Sequence, residues 1–196
     1  SIPYFNDGDA TFSISGTKDI GQTLSITETS ADPDQGTRQL LYYHWYISKN
    51  DTEPLEETFL RSGISADTLV MKSNYENQYI SAKVDYIDGQ NFQEYGTKVN
   101  PVYIPYLDEG EASFAIKGTA SVGQTLSINE SVSDPDGGTG SLSYNWQTST
   151  DGSTWSQVGT NDTYSVAKAD EGKKIRSVLS YTDGQGFSET VNTSAS

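Results

Sequence analysis

The sequence contains no cysteine, one histidine, and no apolar run of the roughly 18 residues that a membrane-spanning helix needs. The missing thiols exclude disulfides, thiol catalysis and cysteine-based zinc sites, so side-chain packing has to stabilise the fold. The chain has 196 residues. That length suits either one large domain or two domains of about 100 residues each.

Basic residues are also scarce. The chain has 12 Lys and Arg against 27 Asp and Glu, which gives a formal net charge of -15. Such a charge repels phosphate backbones and anionic lipids, so we expect neither nucleic acid nor insertion into a membrane. The acidity has two interpretations: it serves solubility, or it serves the binding of a divalent cation.

What the sequence does contain is an internal repeat. Phe12 and Phe114 are 102 positions apart, and the hexapeptide GQTLSI recurs at that distance. Trp45 and Trp146 are 101 positions apart, whereas the two copies of the tripeptide DGQ, which begin at Asp88 and Asp183, are 95 apart. The difference of about six residues indicates an insertion in the first copy, within 51–66. We therefore predict two domains, 1–105 and 106–196, joined through the proline-flanked stretch 101–105.

Apolar residues alternate with polar ones in both copies, as at Ile80, Ala82 and Val84. A period of two predicts β-strands with one buried face. Turn-rich stretches separate the runs into about seven short strands per copy, so the predicted fold is all-β, with two tandem immunoglobulin-like (Greek-key) β-sandwich domains arranged end to end. Trp45 and Trp146, on the third strand of each copy, are assigned to the core.

Together these motifs resemble a known family. The series GQTLSI, DPD, Tyr-x-Trp, DEGKKI at 170–175 and YTDGQGFSE at 181–189 is similar to bacterial immunoglobulin-like repeats. Such repeats occur in tandem in very large secreted proteins, among them surface adhesins and RTX-type proteins. The first copy departs from the pattern at 75–80 and in its insertion. The resemblance implies a secreted or cell-surface bacterial protein in which this chain is a stalk or adhesion segment beside neighbouring repeats.

A catalytic site is not expected. A Ser-His-Asp or metal-hydrolase arrangement needs a histidine, and the only one, His44, lies on a strand and points away from the buried series. The second copy has Asn145 at that position. Carboxylate pairs of the glycosidase kind are possible in so acidic a chain, but turns explain the aspartates more simply. We therefore predict a protein that is not an enzyme.

The acidic residues favour Ca²⁺ as the one cofactor. In an immunoglobulin-like sandwich, the second-to-third loop, the sixth-to-seventh loop and the entry of the first strand lie at one end. Their acidic side chains should converge, and Ca²⁺ prefers six to eight oxygen ligands. The predicted metal ligands are Asp7, Asp9, Asp32, Asp34 and Asp88 in the first copy, and Asp108, Glu109, Glu111, Asp134, Asp136 and Asp183 in the second.

The same aspartates have a second explanation as turn residues, because Asp side chains bind nearby backbone N–H groups. Neither segment completes an EF-hand loop: the twelfth residues counted from Asp32 and Asp134 are Tyr43 and Asn145, not Glu. The predicted ligands of the second copy lie next to the connector 101–105. A cation there would stiffen the junction between the domains, an arrangement similar to cadherin-type arrays.

An aromatic surface on the first domain is a separate candidate for ligand binding. Tyr42, His44 and Tyr46 alternate with the buried residues of the third strand and should face outward. There they would form a flat platform for a glycan or a protein partner. The alternative is that the insertion within 51–66 folds over these side chains.

Overall fold

The computed structural model describes residues 2–51 and 57–196, so residues 52–56 of the predicted insertion lie outside the described part. The protein is all-β: its strands form four antiparallel sheets, accompanied by two short 3-10 turns, Ser73–Tyr75 and Lys168–Asp170. It divides into two compact units, Ser1–Leu107 and Asp108–Ser196, a boundary two residues later than the predicted one. No helix in the described ranges is long and apolar enough to cross a membrane.

Unit 1 consists of two sheets. The first has the strand order β1-β2-β5 and comprises β1 (Thr11–Gly16), β2 (Thr23–Ser30) and β5 (Thr68–Val70). The second has the order β4-β3-β6-β7 and comprises β3 (Thr37–Ser48), β4 (Thr58–Gly63), β6 (Gln78–Asp88) and β7 (Gln93–Ile104).

Unit 2 repeats this arrangement. Its three-stranded sheet has the order β12-β9-β8 and comprises β8 (Ser113–Lys117), β9 (Thr125–Val132) and β12 (Thr163–Ser165). Its four-stranded sheet has the order β11-β10-β13-β14 and comprises β10 (Ser143–Ser149), β11 (Ser156–Gly159), β13 (Lys174–Thr182) and β14 (Ser188–Asn192).

The core of each unit draws its side chains from both sheets. Trp45 and Trp146 are 0% exposed, as predicted, and they pack among aliphatic residues of neighbouring strands. Each indole N–H finds an acceptor, the backbone oxygen of Ala66 at 2.7 Å and that of Asn161 at 2.9 Å. A large side chain thus fills each core without leaving its polar atom unpaired.

Antiparallel pairing decides which loops meet. The start of β3 pairs with the end of β6, where Thr37 lies opposite Asp88. The Asp-Pro-Asp loop directly precedes β3, so it lies beside the loop that follows β6. In unit 2 the pairing of β10 with β13 has the same sense, with Ser143 opposite Ser180.

Candidate metal centres

Two glycines let the paired loops touch. A Cβ on Gly89 would lie 2.5 Å from the Cβ of Gln35, and a Cβ on Gly184 would lie 2.9 Å from the Cα of Gly137. Both distances are shorter than carbon atoms tolerate, so the close approach needs a residue without a side chain. The glycine of each Asp-Gly-Gln tripeptide therefore brings the two acidic loops together.

In unit 1 three buried carboxylates meet at this end. Asp32, Asp34 and Asp88 are 3%, 0% and 0% exposed, and each offers one oxygen such that all three oxygens lie within 4.8 Å of one another. Backbone groups orient them: Asp32 Oδ1 accepts the N–H of Asp34 at 2.8 Å, and Asp88 Oδ1 accepts those of Gln90 and Phe92 at 2.8 Å. The turn chemistry thus aims the carboxylates at a common point.

The segment before β1 closes the cluster of unit 1. The N–H of Asp7 donates to Asp34 Oδ2 at 2.7 Å. The hydroxyl of Tyr86, at the end of β6, accepts the N–H of Ala10 and donates to Asp32 Oδ2, both at 2.6 Å. Three separate parts of the chain therefore converge, as the sandwich topology predicts.

Unit 2 contains the same cluster. Asp134, Asp136 and Asp183 are buried, with one oxygen from each within 4.8 Å of the others. The N–H of Glu109 donates to Asp136 Oδ2 at 2.8 Å, and Tyr181 Oη donates to Asp134 Oδ2 at 2.7 Å. The second copy therefore reproduces both the carboxylates and the contacts that hold them.

Several buried oxygens at the clusters accept no hydrogen bond from any described residue. In unit 1 they are Asp88 Oδ2 and Gln90 Oε1; in unit 2 they are Asp136 Oδ1, Asp183 Oδ2 and Gln185 Oε1. A buried acceptor without a partner costs about 1–3 kcal/mol, and a charged one costs more. Because the unpartnered oxygens recur at Asp88 and Asp183, and at Gln90 and Gln185, each cluster presents oxygens suited to an electropositive partner.

The charges in each cluster repel one another. Two carboxylates about 4.8 Å apart repel by about 3 kcal/mol at an effective dielectric constant of about 20. Ion pairs such as His44 with Asp85, Lys83 with Glu57 and Lys168 with Glu171 join side chains outside the two trios. Neutralisation by a bound cation would therefore stabilise the folded state.

The pKa values of four side chains around the clusters are raised, in part by this negative charge. Burial, followed by the hydrogen bond to Asp134, raises the pKa of Tyr181 to about 12, and the same causes involving Asp32 raise the pKa of Tyr86. Burial, and then repulsion by Asp9, raises the pKa of Glu94. The pKa of Glu189 is raised by desolvation and then by repulsion from Asp108 and three further carboxylates.

Sequence reasoning missed four residues at these sites. Gln90 and Gln185 present buried amide oxygens, and Gln90 Nε2 donates to Asp34 Oδ1 at 3.1 Å. Glu94 and Glu189 are each 7% exposed and stand beside the aspartates. The signal was present in the sequence, because the recurring DGQ tripeptide and the glutamate six residues after its aspartate occur in both copies.

The remaining predicted ligands lie outside the trios. Asp9 Oδ2 accepts a hydrogen bond from Thr97 Oγ1 at 3.1 Å, and Asp108 Oδ1 accepts the N–H of Gly110 at 2.9 Å. Asp7 and Glu109 reach the clusters through their N–H groups. Glu111 lies near enough to Glu189 to raise its pKa. These residues surround the trios of buried carboxylates but do not belong to them.

The donor set consists of hard oxygen ligands. Carboxylate and amide oxygens suit Mg²⁺, Ca²⁺ and Mn²⁺, whereas softer metals favour thiolate and imidazole ligands. Oxygens on opposite sides of a Ca²⁺ ion at 2.3–2.6 Å would be about 5 Å apart, which accommodates trios within 4.8 Å. The residues present therefore fit a hard divalent cation.

The predicted aromatic surface forms a row along β3. Tyr42 is 46% exposed and stacks on His44 with ring centroids 6.0 Å apart, while His44 Nε2 lies 2.9 Å from Asp85 Oδ2. Tyr46 lies between the exposed ring of Phe59 at 5.9 Å and Lys83 Nζ at 4.5 Å from its centroid. Phe59, in the region of the predicted insertion, thus touches one end of the row and leaves Tyr42 accessible.

Two comparisons with known proteins identified no relative of this chain. A scan against protein-family models finds no match to the chain, and a search of curated proteins finds none either.

Proposed function

We propose that this protein is a non-enzymatic stalk or adhesion segment of a large secreted or cell-surface bacterial protein. It consists of two tandem immunoglobulin-like β-sandwiches, and each binds one Ca²⁺ ion at its acidic end. The cation holds the entry segment of each unit against the two acidic loops. In unit 2 that segment follows the boundary at Leu107 directly, so the bound ion would also restrict the connector.

The strand order supports the immunoglobulin-like assignment. The described residues of each unit form seven strands in sheets of three and four, with β3, β6 and β7 adjacent, as strands C, F and G are in that fold. The fourth strand pairs with β3 instead of joining the three-stranded sheet. A fully buried tryptophan on the third strand of each unit occupies the place of the central aromatic of such sandwiches.

The unpartnered buried oxygens carry the proposal of cation binding. An aspartate that served only a turn would have its acceptors satisfied by nearby N–H groups or by water. Asp183 Oδ1 is satisfied in this way by three N–H groups, whereas Asp183 Oδ2 is buried and accepts none from the described residues. In a turn that also binds a cation, one carboxylate oxygen accepts the backbone N–H groups and the other remains for the ion, as found for Asp183.

Calcium is the preferred ion because of the number and kind of oxygens. Ca²⁺ accepts six to eight oxygens in flexible geometry, and its affinity depends on the number of charged ligands and on the rigidity of the site. Mg²⁺ requires a near-ideal octahedron at about 2.0–2.1 Å and gives up its waters reluctantly. Clusters with three carboxylates and an adjacent amide oxygen therefore suit Ca²⁺ better.

Thermal unfolding tests the proposal. We would compare melting temperatures in EGTA, Mg²⁺ and Ca²⁺ at matched ionic strength. At a concentration about a hundred times Kd, an ion that binds only the folded state adds about 2.7 kcal/mol to the free energy of unfolding. We expect a rise in melting temperature that is specific to Ca²⁺. Equal melting temperatures in the three solutions would mean that the aspartates serve only as turn residues.

A matched pair of variants locates the effect. Asp183→Asn keeps one oxygen for the three N–H groups but replaces Oδ2, so the Ca²⁺-dependent rise of unit 2 should disappear. Asp151→Asn is the control, because Asp151 Oδ1 also accepts turn N–H groups, from Ser153 and Thr154 at 2.8 Å, but lies outside the cluster. An equal loss in both variants would contradict the assignment.

The aromatic row of unit 1 supports a second candidate, a glycan- or protein-binding surface. The observation that favours it is the exposed Tyr42 ring stacked on His44. Retention on a glycan array that is independent of Ca²⁺ and lost in Tyr42→Ala and Tyr46→Ala would support this function. Retention that persists in both variants would show that the aromatic row is not the binding surface.

A further inference from the structure

The two acidic clusters differ in the partners of one aspartate. Asp34 and Asp136 are 102 positions apart, and the Oδ2 atom of each accepts an N–H of the entry segment. Asp34 Oδ1 also accepts a hydrogen bond from Gln90 Nε2 at 3.1 Å, whereas Asp136 Oδ1 is buried and accepts none from the described residues. With Asp183 Oδ2, unit 2 therefore presents two unpartnered carboxylate oxygens, whereas unit 1 presents only Asp88 Oδ2.

A second difference lies in the entry segments. Asn6 and Asp108 are also 102 positions apart. Asn6 Nδ2 donates to Glu94 Oε1 at 2.7 Å. In unit 2, desolvation and then repulsion by Asp108 raise the pKa of Glu189. An amide donor thus stabilises a carboxylate in unit 1, at the position where unit 2 carries a further negative charge.

A basic side chain adds a third difference. The guanidinium of Arg38, at the start of β3, donates to Asn91 Oδ1 in the loop that follows Asp88. The corresponding stretch of unit 2, 139–141, is Thr-Gly-Ser and carries no charge. Arg38 therefore offsets part of the negative charge of unit 1 only.

These differences change the charge around each trio in the same direction. The acidic residues of the entry segment, the two loops and the start of the last strand are Asp7, Asp9, Asp32, Asp34, Asp88 and Glu94 in unit 1, and Asp108, Glu109, Glu111, Asp134, Asp136, Asp183 and Glu189 in unit 2. Unit 2 thus has one carboxylate more, and it lacks the guanidinium. A cation is attracted more strongly to unit 2.

We propose that the two clusters take up Ca²⁺ in a fixed order, with unit 2 filled first. The inference rests on the proposed binding of one Ca²⁺ ion by each unit. In unit 1 the ion competes with the amide of Gln90 for Asp34, whereas in unit 2 it meets an oxygen of Asp136 that has no other partner. The Ca²⁺ affinity of protein sites increases with the number of charged ligands, so we expect Kd to be about tenfold lower in unit 2.

The order decides which part of the chain responds first. At a Ca²⁺ concentration between the two dissociation constants, only the entry segment of unit 2 is held against its acidic loops. That segment directly follows the boundary at Leu107. The connector is therefore restricted at a lower Ca²⁺ concentration than the entry segment of unit 1.

Calorimetric titration with Ca²⁺ tests the order. Asp88→Asn leaves the site of unit 2, and Asp183→Asn leaves that of unit 1, so the two variants give one Kd each. We expect the Kd of the Asp88→Asn chain to be about tenfold lower, and both constants should appear in the titration of the unaltered chain. Equal constants or the reverse order would overturn this inference but not Ca²⁺ binding, whereas no binding to any of the three chains would overturn both.

A reciprocal exchange tests the role of the entry segments. Asp108→Asn should raise the Kd of unit 2 severalfold, and Asn6→Asp should lower that of unit 1. Both variants keep a side-chain oxygen for the N–H two residues further on, at Gly110 and Gly8 respectively. The control is Glu171→Gln, which removes an exposed charge before the start of β13, the strand that Asp183 follows. Changes no larger than that of the control would contradict the proposal.

A matched pair of substitutions tests the competition by Gln90. Gln90→Met removes a candidate ligand oxygen but also releases Asp34 Oδ1 from its hydrogen bond. Gln185→Met removes the corresponding oxygen, while Asp136 Oδ1 has no such bond to lose. Gln185→Met should therefore raise Kd by a larger factor than Gln90→Met. Equal factors would show that Gln90 does not compete with the ion.

Discussion

Single side chains connect the entry segment of each unit to its acidic loops. The hydroxyl of Tyr181 accepts the N–H of Ala112 at 2.7 Å and donates to Asp134, and Tyr86 does the same for Ala10 and Asp32. Each hydroxyl is buried and uses both its donor and an acceptor. It therefore fixes the direction of one aspartate in each cluster.

We predict that Tyr181→Phe destabilises unit 2 by about 2 kcal/mol even in EGTA. The substitution leaves the N–H of Ala112 and Asp134 Oδ2 without partners in a buried place, and such losses cost about 1–3 kcal/mol each. Chemical unfolding in EGTA measures the change, with Tyr144→Phe as the control. An effect no larger than that of the control would show that the hydroxyl contributes nothing.

A second prediction concerns Glu189. Its pKa is raised in the folded protein by desolvation and by its acidic neighbours, so the folded state binds a proton more readily than the unfolded chain. In EGTA, stability should therefore rise as the pH falls from 7 toward the ordinary glutamate pKa of about 4.3. Glu189→Gln should melt higher than the original chain at pH 7 and show less of this rise.

The exposed Glu171, at the other end of unit 2, provides the control for the pH experiment. Glu171→Gln removes the exposed ion pair with Lys168, which contributes little. A melting temperature at pH 7 that is equally unchanged in both variants would contradict the repulsion that we assign to Glu189.

At the level of loops and strands, close approach of backbones decides the geometry of the site. Gly184 has no side chain to separate its loop from the Asp-Pro-Asp loop, and a Cβ there would meet Gly137 O at 2.7 Å. We predict that Gly184→Ala costs about 1–3 kcal/mol by overpacking and removes the Ca²⁺-dependent rise of unit 2. Melting temperatures in EGTA and Ca²⁺ measure both effects.

Gly63→Ala is the control for this substitution. A Cβ on Gly63 meets its nearest neighbour, the Cβ of Ala66, at 3.5 Å, which is an ordinary contact. Retention of the Ca²⁺-dependent rise in Gly184→Ala would mean that the two loops need not touch for the ion to bind.

The strands were predictable from the sequence, but some pairings were not. Alternation identified the buried residues of β6 and the core residues Trp45 and Trp146, because a half-buried strand imposes a period of two. The same topology brought Asp32, Asp34 and Asp88 to one end. Alternation does not say which sheet β4 joins, and no local pattern distinguishes the half-buried Gln90, with its buried Oε1, from the exposed glutamines, since burial there depends on packing between distant loops.

At the scale of the whole molecule, the two units contain separate cores and separate clusters. We therefore predict two calorimetric transitions, each with its own Ca²⁺ dependence. Asp88→Asn should remove the dependence of one transition and Asp183→Asn that of the other. A single transition that responds equally to either substitution would show that the units do not unfold independently.

The spacing of the cluster residues along the chain determines at what stage of folding a bound ion would act. Gln90 and Asp34 are 56 positions apart, and Tyr181 and Asp134 are 47 apart. Because contacts between residues distant in sequence form slowly, we expect such a site to form late in folding, after both sheets are in place. Interactions that are missing from the transition state slow unfolding without accelerating folding. Calcium should therefore lengthen the lifetime of each folded unit and leave its rate of formation unchanged, so a calcium-loaded unit would resist sustained pulling longer than one without the ion.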